Sequence, residues 1–418
     1  MNPSEIRKVL GLALGLLGLA LAGGGAGILA GEGPAPAPSA PQGVKSTIKL
    51  VPTVLPVPVA AHFGPWAEKP VPPKTRCAGG ILEKPQTAFI IADLDGNGRF
   101  GDLWSDGLLF MGSRFLLPLE EVTWFGDHQV KFLAVSPDGS EIQLEVTPVE
   151  ASDVQLAVLR QINAHRVSCG LPPRGLNPEL TRACQAHCHY CAINNYFGHP
   201  EDKSKPGYTP EGHNAGMASI IHMGMTPEGA VGGFLATFLH RIDLIWPDTN
   251  AYGAGSEGRI TAINGRVDRR KNLKWGWPVP YPAEFQEGMG LAFAPESPNP
   301  IPNEATSPCG FPVTLTFASG KVRGCAAKVF ALGNVQPGAD WKLPEEGGTE
   351  VPGFLSTPEK PAVSMFGDNL RTICLIPKEP LAANCWHRAE FSWQEGGAAA
   401  RKVWFFKTGA HRLPPRRR

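Results

Sequence analysis

Seven of the chain's eleven histidines, His165, His187, His189, His199, His213, His222 and His240, fall between positions 165 and 240. Imidazole is the commonest metal ligand and the usual proton carrier near neutral pH, so such crowding points to a metal-binding or acid-base cleft. The plain reading of each ring taken singly is a hydrogen-bonded structural residue. No HExxH pair and no GxSxG elbow is present to supply a ready-made zinc site or hydrolase nucleophile. A second group is Asp93-Leu-Asp95-Gly-Asn97-Gly98, which opens like a calcium loop, with oxygen ligands at positions one, three and five and glycine at six. Position twelve is Trp104, which offers no oxygen, so Asp102 or Asp106 would have to close the site; otherwise the segment is a turn between two strands. A calcium ion on Asp93, Asp95 and Asn97 would be structural. The third group, Cys184, Cys188 and Cys191, has a spacing that can hold an iron-sulfur cluster. On a helix its ends lie ~10.5 Å apart along the axis, whereas thiolates on one metal need Cα atoms within roughly 9 Å. The three form one narrow stripe and are expected to pack in a core.

Composition limits what these groups can serve. The 418 residues call for two or three domains, and 42 prolines restrict helix and favour strands, turns and extended connectors. Lys plus Arg, 39, against Asp plus Glu, 38, leaves none of the basic excess that binding to a phosphate backbone requires, so no nucleic-acid partner is expected. Arg7 and Lys8 precede an uncharged apolar run from Val9 to Ala30, with Ala20-Leu21-Ala22 as a cleavage pattern. Residues 1–31 read as a signal peptide or, uncleaved, as an anchor and the only membrane contact. Either reading places the rest outside the cytosol, secreted or in the cell envelope, where thiols can oxidise. Cys309, Cys325, Cys374 and Cys385 could then close two short loops, 309 to 325 and 374 to 385.

The elements that must position these groups follow from pattern. Residues 32–76 read as a Pro-rich linker. Residues 77–150, with runs such as Ala88-Phe-Ile-Ile-Ala and the alternating Glu141-Ile-Gln-Leu-Glu-Val, predict a small β domain. From 151 the period becomes helical, with Val154, Val158 and Ile162, then Leu180, Cys184 and Cys188, each four apart. Residues 281–308 read as a second linker, and 309–410 as a β-sandwich of immunoglobulin type.

Within the helical stretch a family resemblance emerges. Leu159-Arg-Gln-Ile-Asn163-Ala-His165-Arg166, Gly170-Leu-Pro-Pro173, Leu176-Asn177, Ala183, His187 and Asn195-Tyr-Phe197-Gly-His199 resemble the opening of a CAP/SCP domain. That superfamily comprises cysteine-rich secretory, antigen 5 and pathogenesis-related proteins. Gly212-His213-Asn214-Ala215, Ala230-Val231-Gly-Gly-Phe234, Leu239-His240-Arg241 and Tyr252-Gly253-Ala-Gly255 continue it in order, in the manner of bacterial members. The resemblance covers about 151–280 and implies an α-β-α sandwich whose cleft gathers two His and two Glu and in some members a divalent metal. Carried over, His199 matches the first cleft histidine and His240 a bacterial histidine position, while His213 stands where the family has glutamate. Phe234 replaces the family's tryptophan.

The expected molecule is therefore multidomain: a CAP-like α-β-α sandwich flanked by a small β domain and a C-terminal β-sandwich. Its expected work is binding an extracellular lipid, glycan or peptide, with His199, His213 and His240 as ligands should the cleft hold zinc. The alternatives are a zinc-dependent hydrolase built on the same three histidines and a structural adhesin. Asn163 and Arg166 are read as packing residues.

Overall fold

The computed structural model describes residues 42–55, 60–61, 69–72, 74–110, 113–267, 278–302, 308–318, 320–338 and 342–410. The apolar N-terminal run, and with it the choice between signal peptide and anchor, lies outside them, as does the tail from 411. Among the described residues no helix is long and apolar enough to cross a membrane. The chain divides into two compact units, one of residues 1–59 and 71–150 and one of residues 60–70 and 151–418.

In chain order the strands begin with β1 (Val44–Lys49) and β2 (Val51–Thr53), followed by a short antiparallel pair, β3 (Ala60–Ala61) and β4 (Lys69–Pro70), that belongs to the second unit. The first unit continues with β5 (Arg76–Leu82), β6 (Thr87–Asp93), β7 (Gly107–Phe110), β8 (Phe115–Pro118), β9 (Val122–Phe125), β10 (His128–Val135) and β11 (Glu141–Pro148). One sheet has the order β1-β11-β10-β9, and β2, β5, β6, β7 and β8 follow one another in a second. The alternation in β11 sends Ile142, Leu144 and Val146 inward, where they meet Phe89, Ile91 and Leu108 from the other sheet and Phe125 from β9. The span expected as a linker supplies β1, which pairs with β11 from Val44↔Val146 to Lys49↔Glu141. Its mostly exposed side chains give little hydrophobic signal.

The second unit opens with helix α1 (Asp153–Ser168), then β12 (Gly175–Leu176), α2 (Pro178–Ile193), α3 (Pro210–Ala218), β13 (Ile220–Met223), α4 (Pro227–Leu235), α5 (Leu239–Ile245), β14 (Thr249–Glu257) and β15 (Ile260–Val267). The sheet order is β12-β14-β15-β13. With α2 packed on β14 and β15, and α1 on β14, α4 and α5, this region is an α-β-α arrangement. Gly253 and Gly255 on β14 make the α2 contact possible. A Cβ at either would collide with the backbone of Leu180 or Cys184. Helix starts follow local chemistry: Ser152 forms a capping box with Gln155, and Asn177, Thr209 and Thr226 each cap a helix with proline next.

Beyond these come β16 (Val279–Tyr281), β17 (Gln286–Met289), β18 (Val313–Thr316), β19 (Arg323–Gly333), β20 (Thr349–Glu350), β21 (Gly353–Ser356), β22 (Thr372–Pro377), β23 (Trp386–Glu395) and β24 (Ala398–Thr408). They form two sheets, β16-β18-β22-β21 and β17-β24-β23-β19-β20. Phe317 meets Trp393 edge to face, and Phe391 packs on Trp404. The span 281–308, expected as a linker, carries β17 and packs within this unit. All nine cysteines are free thiols, which corrects the two expected bridges: Cys374 lies inside β22, and Cys385 directly precedes β23 in the other sheet.

Candidate functional site

The loop from α2 to α3 is organised around a buried pair, His187 and Glu201, whose side chains are both fully buried. Nδ1 of His187 lies 2.9 Å from Glu201 Oε1, and Nε2 lies 3.1 Å from the Gly198 carbonyl oxygen. A carbonyl only accepts, so Nε2 carries a proton there, and the Nδ1–Oε1 contact holds another between imidazole and carboxylate. A buried charge is tolerated when it is paired in this way, and the pair fixes the loop that carries Phe197 and His199.

His199 donates from Nδ1 to the Gly216 carbonyl at 2.8 Å, which leaves its Nε2 with a lone pair on an exposed ring. His213 is the opposite case. Its Nδ1 accepts the Glu201 backbone N–H at 3.1 Å, so the neutral ring carries its proton on Nε2. That atom is a donor and not a metal ligand. Glu201 is the carboxylate that the sequence did not reveal: it follows His199 by two residues, and only the fold turns it inward to His187.

His240 belongs to another construction. Helix α5 begins at Phe238 without a side-chain cap of its own. Glu296, from the span expected as a linker, supplies one: its carboxylate accepts from the backbone N–H groups of Phe238, Leu239 and His240 and from His240 Nδ1 at 2.7 Å. The His240 ring stacks on Phe234 at 5.9 Å. Next to it, Arg241 is fully buried and donates to the carbonyls of Leu235 and Pro312, with its guanidinium over the rings of Tyr281 and Phe311 at 4.6 and 4.7 Å. Burial pulls its pKa down to about 10. His165 accepts from the Tyr281 hydroxyl at 3.1 Å, and burial together with the Arg241 charge lowers its pKa to about 4.

The structure thus gathers His187, His199, Glu201 and His213 at one loop and places His240 in a helix cap. Among the described residues, the acidic group Asp93, Asp95 and Asp106 is the set of three or more His, Cys, Asp or Glu donor atoms that lie within 4.8 Å of one another. His199, His213 and His240 do not make such a set. The cysteine stripe packs in the core with Tyr190 and Ile221, and burial raises the thiols of Cys184 and Cys191 to about 11, which makes them poor nucleophiles. Asn163 and Arg166 act as packing residues. Asn163 exchanges hydrogen bonds with the Arg174 backbone at 2.9 and 2.8 Å, and Arg166 donates to the Pro172 and Trp246 carbonyls.

In the first unit, Asp106 joins Asp93 and Asp95, the oxygens of the three lying within 4.8 Å of one another. Asn97 Oδ1 accepts the Arg99 N–H, while its amino group donates to Asp95 at 3.1 Å and to Asp102 at 2.6 Å. Asp106 is wholly buried and accepts three backbone N–H groups. Burial, with a smaller contribution from the Asp95 charge, still raises its pKa to about 6. Three carboxylates of this kind suit a hard cation such as calcium.

Residues 159–258 match the model of the cysteine-rich secretory protein family, CAP. Among solved structures, an extracellular protein containing an SCP domain from Bacillus anthracis str. Ames matches with 10% identity and a TM-score of 0.24, over 46% of this chain and 82% of that one. A cysteine-rich secretory protein from Staphylococcus aureus subsp. aureus Mu50 matches with 10% identity and a TM-score of 0.22, over the same shares. No curated protein matches the chain.

Proposed function

From the CAP/SCP domain that residues 159–258 form, we propose that the protein is an exported binding module that works without turnover, its histidines holding a surface in shape. The observation that carries this is the tautomer of His213. A ring that accepts at Nδ1 presents N–H at Nε2, so a zinc site on His199, His213 and His240 would have to break the Glu201 contact and also draw together rings whose nitrogens do not lie within 4.8 Å of one another. This weighs against the zinc hydrolase reading. Exposed apolar residues lie close in sequence to both partners of the His199–Gly216 contact. Phe197 and Met217, 50% and 57% exposed, stand on the two chain segments joined by the His199–Gly216 hydrogen bond. Such a face suits a ligand with an apolar portion and one hydrogen-bonding group, from an extracellular lipid, glycan or peptide.

Co-sedimentation of the whole protein with cell-wall glycan, with lipid vesicles and with immobilised peptides tests the reading. It predicts retention by one of the three, reduced at least tenfold in the Phe197→Ser, Met217→Ser double variant. Zinc-dependent hydrolysis of an ester or peptide that is lost in His199→Ala would contradict it.

A second proposal concerns the first unit, where Asp93, Asp95 and Asp106 would hold a structural calcium ion. The close approach of three carboxylates, two of them buried, supports it, because like charges held this near one another are relieved by a cation. Calorimetric titration with calcium should show one site, absent in Asp93→Asn. Equal heats in both proteins would reject it.

A further inference from the structure

Three of the chain's seven methionines, Met217, Met223 and Met225, lie within nine positions and are 57%, 43% and 36% exposed, although methionine is ordinarily a core filler. Two of them belong to the run His222-Met223-Gly224-Met225, in which β13 ends and α4 is about to start. Gly224 has φ +99°, a backbone that side chains rarely adopt, and its N–H donates to the Arg259 carbonyl at 2.9 Å. The turn brings Met225 back toward its own strand. The effect is visible at Gly233 on α4, where a Cβ would stand 2.8 Å from His222 Nε2 and 3.5 Å from Met225 Sδ. The imidazole nitrogen and the thioether sulfur therefore face one methyl-sized space that the glycine leaves open. The His222 ring is held there edge-on by Phe234, with centroids 5.6 Å apart.

We propose that His222 Nε2 and Met225 Sδ form a binding site for a soft monovalent cation, cuprous copper. Thioether sulfur is a soft ligand, which selects Cu(I) over zinc, calcium or magnesium, and imidazole serves copper well. Both ligands are neutral, and the Arg259 guanidinium beside Gly224, 3.2 Å from where a Cβ would be, opposes a doubly charged ion more strongly than a singly charged one. The long, unbranched Met225 side chain can close on an ion without movement of the backbone.

Copper competition under reducing, anaerobic conditions tests this on the whole protein. A Cys325→Ser background removes the one cysteine that is not buried and so excludes adventitious thiolate binding. The probe is Cu(I) itself, taken from a chromogenic chelator, with methionine methyl carbons observed by NMR. The expected result is one equivalent of Cu(I), a shift of the Met225 methyl larger than that of any other methionine, and no response to Zn(II). The Met225→Leu variant keeps the shape and removes the sulfur, so affinity should fall at least a hundredfold. Gly233→Ala fills the shared space while improving helix propensity, and should also lose affinity. Failure of the protein to take Cu(I) from the chelator would overturn the proposal, as would a Met225→Leu variant that binds as the parent does.

Discussion

Asn163 and His213 show how single atoms decide what this region can do. Asn163 spends both ends of its amide on the Arg174 backbone within the core, an exchange that no other side chain of its size reproduces. Asn163→Ala leaves one buried N–H and one buried carbonyl without partners and should cost about 2–4 kcal/mol, as two unmade hydrogen bonds, measured by denaturant unfolding. A loss under 1 kcal/mol would show that solvent reaches the site. The packing role of Asn163 was legible because it sits on the helix face that also carries Leu159, Ile162 and Arg166. The chemistry of the histidines was not. Their crowding was visible, but which ring nitrogen bears the proton depends on the Gly216 carbonyl and the Glu201 N–H, both contributed by folded backbone. Glu201 was hidden for the same reason, since nothing in His199-Pro-Glu201 indicates that the carboxylate turns inward.

At the scale of elements, the starts of α1 to α4 could be read directly, since Ser152, Asn177, Thr209 and Thr226 are local caps. Helix α5 has no such signal, because its cap comes from Glu296, more than fifty positions later. Glu296→Gln keeps the shape and part of the bonding, and Glu296→Ala removes both. Expected losses are about 1 and about 3 kcal/mol, from the helix-end charge and the unmet N–H groups respectively, with the order Ala worse than Gln checked by chemical denaturation. Equal, small losses would mean that water caps α5. Strand β1 escaped notice because proline-rich surroundings and an exposed face hide a strand whose main contribution is its backbone ladder to β11. The glycines of β14 are the converse case: Gly253 and Gly255 were visible in sequence, and the close approach of α2 explains them.

For the whole molecule, the two units should respond to acid in opposite senses. In the first, Asp106 has a folded pKa of about 6 against an ordinary 3.8. The folded unit thus holds a proton that the unfolded chain has released, and this contribution is full below pH ~4 and lost as pH rises to ~6. In the second, burial lowers His165 and His387 to about 4 from an ordinary 6.5. Here the unfolded chain binds protons that the folded unit does not, so stability present above pH ~6.5 is lost as pH falls toward 4. Differential scanning calorimetry between pH 7 and 4 should show the transition of the second unit falling, with Asp106→Asn flattening the pH response of the first. Calcium should raise the first unit's transition at pH 7 and have little effect at pH 4. Parallel movement of both transitions, unaltered in Asp106→Asn, would refute this assignment.

The central claim is that His199, His213 and His240 serve the fold and do not form a joint metal site, and the most direct test is the ¹⁵N spectrum of the imidazole rings before and after one equivalent of zinc. The account predicts His199 protonated at Nδ1, His213 at Nε2 and His240 bonded through Nδ1 to a carboxylate, with all three unmoved by the metal. A joint shift of His199, His213 and His240 on adding zinc, with His213 losing its Nε2 proton, would contradict it.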